Sequence, residues 1–164
     1  MKLFKQLPVL AMLALFCFSC STENLDNEAE ILSKSLVTPA TKSIETEILE
    51  LINDHRLSLG LSPLNDMKVV KSVAFSHTDY MVDKNVVSHD NFYKRSTYLK
   101  ENAGAVKVSE NVAYGYTSAQ SVVNAWIKSE SHKANIEGDF SNFDISAEQN
   151  SEGNWYYTNI FIKK

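Results

Sequence analysis

Residues 126–136 read Trp-Ile-Lys-Ser-Glu-Ser-His-Lys-Ala-Asn-Ile. In this stretch Trp126, Ser129, His132 and Asn135 follow one another at intervals of three, so an indole, a hydroxyl, an imidazole and an amide recur at regular spacing. Two shorter polar motifs precede it, Ser88-His89 and Ser109-Glu110-Asn111, each at a predicted junction between a regular element and a loop. Two imidazoles and one carboxylate from three segments are the groups from which proteins build metal sites or acid–base sites.

The spacing of apolar residues predicts helices followed by a closing hairpin. The predicted elements are, in chain order, helices over 43–58, 66–84 and 91–100, a strand over 105–108 that leads into Glu110, a helix over 118–133, and strands over 143–149 and 155–162. Ser43 and Ser118 are the expected N-caps of the first and fourth helices, and Gly60 ends the first. Helices interleaved with few strands indicate one mixed, layered α+β domain.

Two further motifs flank those already described, Asn53-Asp-His-Arg56-Leu-Ser-Leu-Gly60 near the start of the domain and Trp155-Tyr-Tyr-Thr158-Asn159 near its end. Taken in order, the five motifs resemble those of the CAP domain, the SCP/PR-1-like or cysteine-rich secretory protein superfamily, in its bacterial form. The resemblance runs from about residue 44 to the C-terminus. It implies a three-layer α/β/α sandwich, which we place at residues 43–164.

The first 42 residues have a different composition. Lys2 and Lys5 precede an apolar run over 7–18 and then Ser19-Cys20, which resembles a bacterial lipobox. We therefore expect a signal peptide over 1–20, a lipid anchor on Cys20, and a polar, flexible tether over 21–42. This predicts an exported lipoprotein of the cell envelope, in the periplasm or at the outer membrane and cell surface. An ordinary secreted protein is the alternative if Cys20 is not lipidated, and a short transmembrane anchor is a weaker one.

Charge and cysteine content exclude several classes. The chain has a net charge of −4, and removing residues 1–20 removes two lysines and no acids, leaving −6. An acidic protein has no electrostatic reason to bind nucleic acid. Both cysteines, Cys17 and Cys20, lie in the leader, so the domain holds neither a disulfide nor a thiolate metal ligand. A monomer is the default expectation.

The resemblance implies a cleft built from His89, Glu110 and His132. Asn111 and Ser129 lie beside these residues in sequence, and we expect His77, Trp126 and Tyr114 to support them. Each histidine also has a simpler interpretation: His132 interacts with a helix dipole, His89 is a surface residue, and His77 is a satisfied core residue.

Two functional hypotheses from different classes remain open. His89, His132 and Glu110 suit a divalent metal, zinc above all, in a module that binds a lipid or peptide ligand at the cell envelope. The alternative is a metal-dependent hydrolase of the peptidase type that uses Glu110 and metal-bound water. The chain has no Gly-x-Ser-x-Gly motif and no cysteine in the domain, so no nucleophile is indicated. A purely structural lipoprotein is a third interpretation.

Overall fold

A four-stranded sheet organises residues 36–164, which are the residues that the computed structural model describes. The strands are β1 (Asn65–Asp66), β2 (Lys107–Tyr114), β3 (Asn142–Gln149) and β4 (Trp155–Lys163). They are ordered β1-β3-β4-β2. The pairs β3–β4 and β2–β4 are antiparallel, and the two residues of β1 run parallel to the start of β3.

Within residues 36–164, five helices cover the two faces of this sheet. They are α1 (Ser43–Ser58), α2 (Lys68–Lys84), α3 (Phe92–Ala103), α4 (Ala119–Lys128) and α5 (Glu130–Ile136). The helices α1, α4 and α5 share one apolar cluster with Phe143, Ile145 and Tyr157 of the sheet. The helices α2 and α3 share another with Ile160 and Ile162, whose side chains lie on the opposite face of the sheet from Tyr157. The arrangement is the three-layer α/β/α sandwich that the resemblance implied.

Side chains close both outer edges of the sheet. Beyond the short β1, the outward Ile145 carbonyl accepts a hydrogen bond from Lys71 Nζ at 2.7 Å, and the Ala147 N–H donates to Glu45 Oε1 at 2.8 Å. Lys71 and Glu45 are themselves a buried ion pair, 2.6 Å apart, that joins α1 to α2 around the edge. A buried ion pair thus occupies backbone groups that a further strand would otherwise pair.

The sequence predictions agree with most elements and differ at several points. Asp66 lies in β1, which was not predicted, instead of starting a helix, and Lys42 rather than Ser43 is the N-cap of the first helix. The first helix and the hairpin were predicted to within one residue of the observed bounds. The strand predicted over 105–108 was too short, because β2 runs through Glu110 and Asn111. The helix predicted over 118–133 was too long, because Ser129 adopts an extended conformation (φ −92°, ψ 120°) and separates α4 from α5. Serine is favoured at helix boundaries because its hydroxyl competes for local hydrogen bonds.

The predicted signal peptide, the lipid anchor on Cys20 and the tether up to residue 35 lie outside the described residues, and these interpretations stay predictions. The described end of the tether contacts the domain: the Thr38 hydroxyl bonds that of Ser72, and Lys42 pairs with Glu148 at 2.5 Å. Within residues 36–164, no helix has the length and apolar character needed to cross a membrane.

Candidate functional site

Glu110 is the buried carboxylate of the site. It lies on β2, on the sheet face that α2 and α3 cover, and its side chain is 1% exposed. Arg95 binds it in a bidentate manner, with Nε 2.7 Å from Oε2 and Nη2 2.7 Å from Oε1. His89 Nδ1 adds a third hydrogen bond, 2.9 Å from Oε1. The charge of Glu110 is therefore compensated where it is buried, as a buried ion requires.

Arg95 was not recognised from the sequence. It lies on α3, is buried, and also donates through Nη1 to the Asp90 carbonyl at 2.7 Å. One signal was available: Arg95 precedes Tyr98 and Leu99 by three and four residues, which places a guanidinium on the apolar face of an amphipathic helix. A charge on that face requires a buried partner, and Glu110 is that partner.

His89 is the exposed member of the group. It lies in the loop between α2 and α3, and its side chain is 53% exposed. Glu110 accepts the hydrogen bond at Nδ1, so the neutral ring carries its proton there and presents an unprotonated Nε2 to the solvent. The arrangement orients one imidazole and leaves its basic nitrogen accessible.

His77 supports the loop that carries His89. It is buried on α2, and its Nε2 donates to the Ser88 carbonyl at 2.8 Å. The same nitrogen lies 3.9 Å from Glu110 Oε1. Burial lowers the pKa of His77, and the positive charge of Arg95 lowers it further. His77 is thus a neutral structural group beneath the exposed imidazole.

The motif at residues 126–136 binds the outer edge of β2. Trp126 Nε1 donates to the Val112 carbonyl at 3.2 Å, and Asn135 Nδ2 donates to Asn111 Oδ1 at 2.8 Å and to the Glu110 carbonyl at 3.3 Å. Asn111 in turn donates to the His132 carbonyl at 3.1 Å. Two of the four regularly spaced side chains thus attach the helices to the strand that carries Glu110.

His132 is the second imidazole of the site. Its Nδ1 lies 2.8 Å from the Ser129 hydroxyl, and the ring is partly exposed. Burial lowers its pKa, and the nearby charge of His89 lowers it further. The two imidazoles are therefore near enough for their charges to interact. Tyr114, predicted to line the groove, is 42% exposed and packs against Tyr156 with 4.6 Å between ring centroids.

The predicted metal set of His89, His132 and Glu110 does not fit this geometry. Arg95 and His89 occupy both oxygens of Glu110, and among residues 36–164 no three His, Cys, Asp or Glu side chains are grouped to hold a metal ion. Burial alone would raise the pKa of Glu110, but hydrogen bonds from His89 and Arg95 outweigh it, and the pKa is lowered. A carboxylate with a lowered pKa is also a weak general base.

The family of the chain follows from its motifs and fold together. The family model of the cysteine-rich secretory protein family (CAP) matches residues 49–161 of the sequence. The chain belongs to the CAP family. Two curated relatives come from Bacillus subtilis (strain 168): the uncharacterized membrane protein YlbC, 32% identical over 124 residues, and the uncharacterized protein YkwD, 31% identical over 112 residues. The matches cover 73% and 66% of this chain but only 34% and 44% of those relatives.

Solved structures share the fold of this CAP domain. An outer surface protein from Borrelia burgdorferi aligns with a TM-score of 0.69 at 21% identity, over 79% of this chain and 98% of that one. An extracellular SCP-domain protein from Bacillus anthracis aligns with a TM-score of 0.65 at 24% identity, over 78% of this chain and 45% of that one. A cysteine-rich secretory protein from Staphylococcus aureus gives 0.62 at 18% identity, over 77% and 41%.

Proposed function

We propose that this CAP domain is an exported binding module of the cell envelope whose cleft recognises a peptide through His89 and His132. One observation carries the proposal: Glu110, which Arg95 neutralises, holds His89 by Nδ1 and leaves Nε2 of a 53% exposed ring accessible. An oriented imidazole of this kind accepts a hydrogen bond when neutral and donates one when protonated. A peptide backbone offers both complements.

The polar character of the cleft favours a peptide over a lipid. The exposed or partly exposed polar groups of the site are the imidazoles of His89 and His132 and the hydroxyl of Ser129. A lipid chain requires a continuous apolar groove to gain from burial. A lipid ligand, the other partner expected from the resemblance, is therefore the less favoured occupant.

Export is supported by the lysines and apolar run that precede Ser19-Cys20, and membrane attachment through a lipid on Cys20 is part of the proposal. The names of the related proteins are consistent with this setting, since they include a membrane protein, an outer surface protein and an extracellular protein.

In this geometry Glu110 is poorly suited to be the general base that the hydrolase hypothesis requires. It requires Glu110 to accept a proton from water, but the carboxylate already accepts three hydrogen bonds and its pKa is lowered. A general base works best when its pKa lies near the operating pH, and these contacts move Glu110 away from that range.

The test is selection of displayed random peptides on the purified full-length protein, compared with the His89→Ala/His132→Ala double variant. His55→Ala is the matched control, because His55 lies on α1, pairs with Glu137 and is outside the cleft. We expect selected peptides to bind the wild type and the control and to lose most of their affinity for the double variant. Peptides that bind all three proteins equally would refute the proposal.

A zinc titration by calorimetry examines the competing interpretation. Tight one-to-one binding that disappears in the double variant would replace the peptide proposal with a metal centre.

A further inference from the structure

We propose that Arg95 is the resident cation of this cleft: its guanidinium occupies Glu110 in place of a divalent ion and keeps the site independent of metal. The inference rests on the proposed function in one respect, namely that His89 is the exposed group of the cleft. It concerns a different property, the identity of the cation that neutralises the buried carboxylate.

The contacts from Arg95 satisfy both oxygens of the Glu110 carboxylate. Arg95 places two nitrogens at 2.7 Å from the two oxygens of Glu110, which is the planar, bidentate arrangement in which guanidinium and carboxylate match. Both side chains are buried, at 6% and 1% exposure. A metal ion at this carboxylate would have to separate a buried ion pair before gaining its own bonds.

The residues around Glu110 and Arg95 also disfavour a metal ion at this carboxylate. His77, the other imidazole near Glu110, uses Nε2–H to bond the Ser88 carbonyl, so that nitrogen has no lone pair for a metal. The third nitrogen of Arg95 donates to the Asp90 carbonyl at 2.7 Å, which further holds the guanidinium in place. A divalent cation approaching Glu110 would also meet the positive charge of Arg95 at close range.

The first experiment measures the folding equilibrium of Arg95→Met and of the Arg95→Met/Glu110→Gln double variant. We expect Arg95→Met to lower the folding equilibrium constant by about a hundredfold or more, because it leaves the buried carboxylate without its guanidinium partner and with only the hydrogen bond from His89. Adding Glu110→Gln removes that charge and should recover most of the lost folding equilibrium constant. If the double variant is as unstable as the single one, Arg95 does not act through Glu110 and the inference fails.

Arg56→Met is the matched control. Arg56 is equally buried but donates to the carbonyls of Ser62, Ile136 and Gly138, and its described hydrogen bonds reach no carboxylate. Its loss should therefore be unaffected by Glu110→Gln, and a recovery there would show that the substitution stabilises the fold without reference to Arg95.

The second experiment compares zinc affinity in the wild type and Glu110→Gln, and it decides the matter even if Arg95→Met does not fold. We expect equal affinity, or no binding in either protein, because Glu110 is not available to zinc. A wild-type affinity that falls in Glu110→Gln would overturn the inference. Failure of the peptide selection would leave both results unchanged, so the two proposals fail separately.

Discussion

The hydroxyl of Ser129 contacts a histidine of the site instead of capping the helix that follows it. It lies at the N-terminal boundary of α5, where a serine commonly accepts a hydrogen bond from a backbone N–H of the first turn. In this chain the side chain makes no such capping bond and instead contacts His132 Nδ1 at 2.8 Å. The hydroxyl therefore orients an imidazole rather than capping a helix.

The pKa of His132 tests which neighbours determine its environment. Burial is the main cause of its lowered pKa and the charge of His89 is the second. His89→Ala should therefore raise the pKa of His132 part of the way toward its ordinary value of 6.5, whereas Ser129→Ala should leave it lowered. Titration of the imidazole protons by NMR measures both. A His132 pKa that is the same in His89→Ala and the wild type would show that the two rings do not share a cleft.

At the scale of the element, strand β2 depends on the indole of Trp126. Its Nε1–H satisfies the outward Val112 carbonyl at 3.2 Å in a buried setting. Trp126→Phe keeps an aromatic ring but leaves that carbonyl unpaired, which should cost about 1–3 kcal/mol in the free energy of unfolding. Urea denaturation measures this cost. Trp155→Phe is the control, because the indole of Trp155 makes no side-chain hydrogen bond within residues 36–164, and an equal loss there would contradict the argument.

The opposite edge depends on Lys71. Lys71→Met removes the nearer of the two cations beside the fully buried Glu45 and leaves only Lys42, 3.8 Å away, so it should lower the free energy of unfolding by up to about 3–5 kcal/mol. Lys163→Met breaks an exposed pair, since Asp139 is 82% exposed, and should cost far less stability. Chemical denaturation of the two variants gives the comparison, and similar losses would mean that the buried pair contributes no more than a surface one.

The stability of the whole molecule should depend on pH through Asp144. Burial raises its pKa to about 6, against opposing hydrogen bonds from the Ile145 and Met67 N–H groups and the charge of Lys71. Because the folded pKa is raised, its contribution is fully present below the ordinary value of 3.8 and is lost as the pH rises through about 6. The loss is roughly 3 kcal/mol at most.

Asp144→Asn removes this titration. The difference in unfolding free energy between the wild type and the variant should shift against the wild type as the pH rises from about 4 to about 7.5. A constant difference would contradict the prediction. His77 has the opposite effect in both proteins: its pKa is lowered, so its contribution is present above 6.5 and is lost as the pH falls toward the lowered value.

Periodicity in the sequence predicted α1 and α2 because each buries one regular face, and the hairpin was predicted from two apolar runs, the second buried on both faces, on either side of a turn. It did not predict the break at Ser129 or the length of β2, since both depend on polar side chains whose partners are set by the fold. Glu110 and Asn111 are buried in a strand only because Arg95 and Asn135 satisfy them. The motifs predicted that His89, Glu110 and His132 belong to one cleft. They predicted a metal ion beside Glu110, where the structure has Arg95.

The closed edges of the sheet have a consequence for the protein in a crowded setting. An exposed strand is a template on which another copy of the chain pairs, and such pairing leads to aggregation and fibre growth. Here the Val112 and Glu110 carbonyls on one side and the Ile145 and Ala147 backbone groups on the other are already bonded to side chains. Copies held close together by the proposed lipid anchor would meet at high local concentration without offering one another a strand to extend.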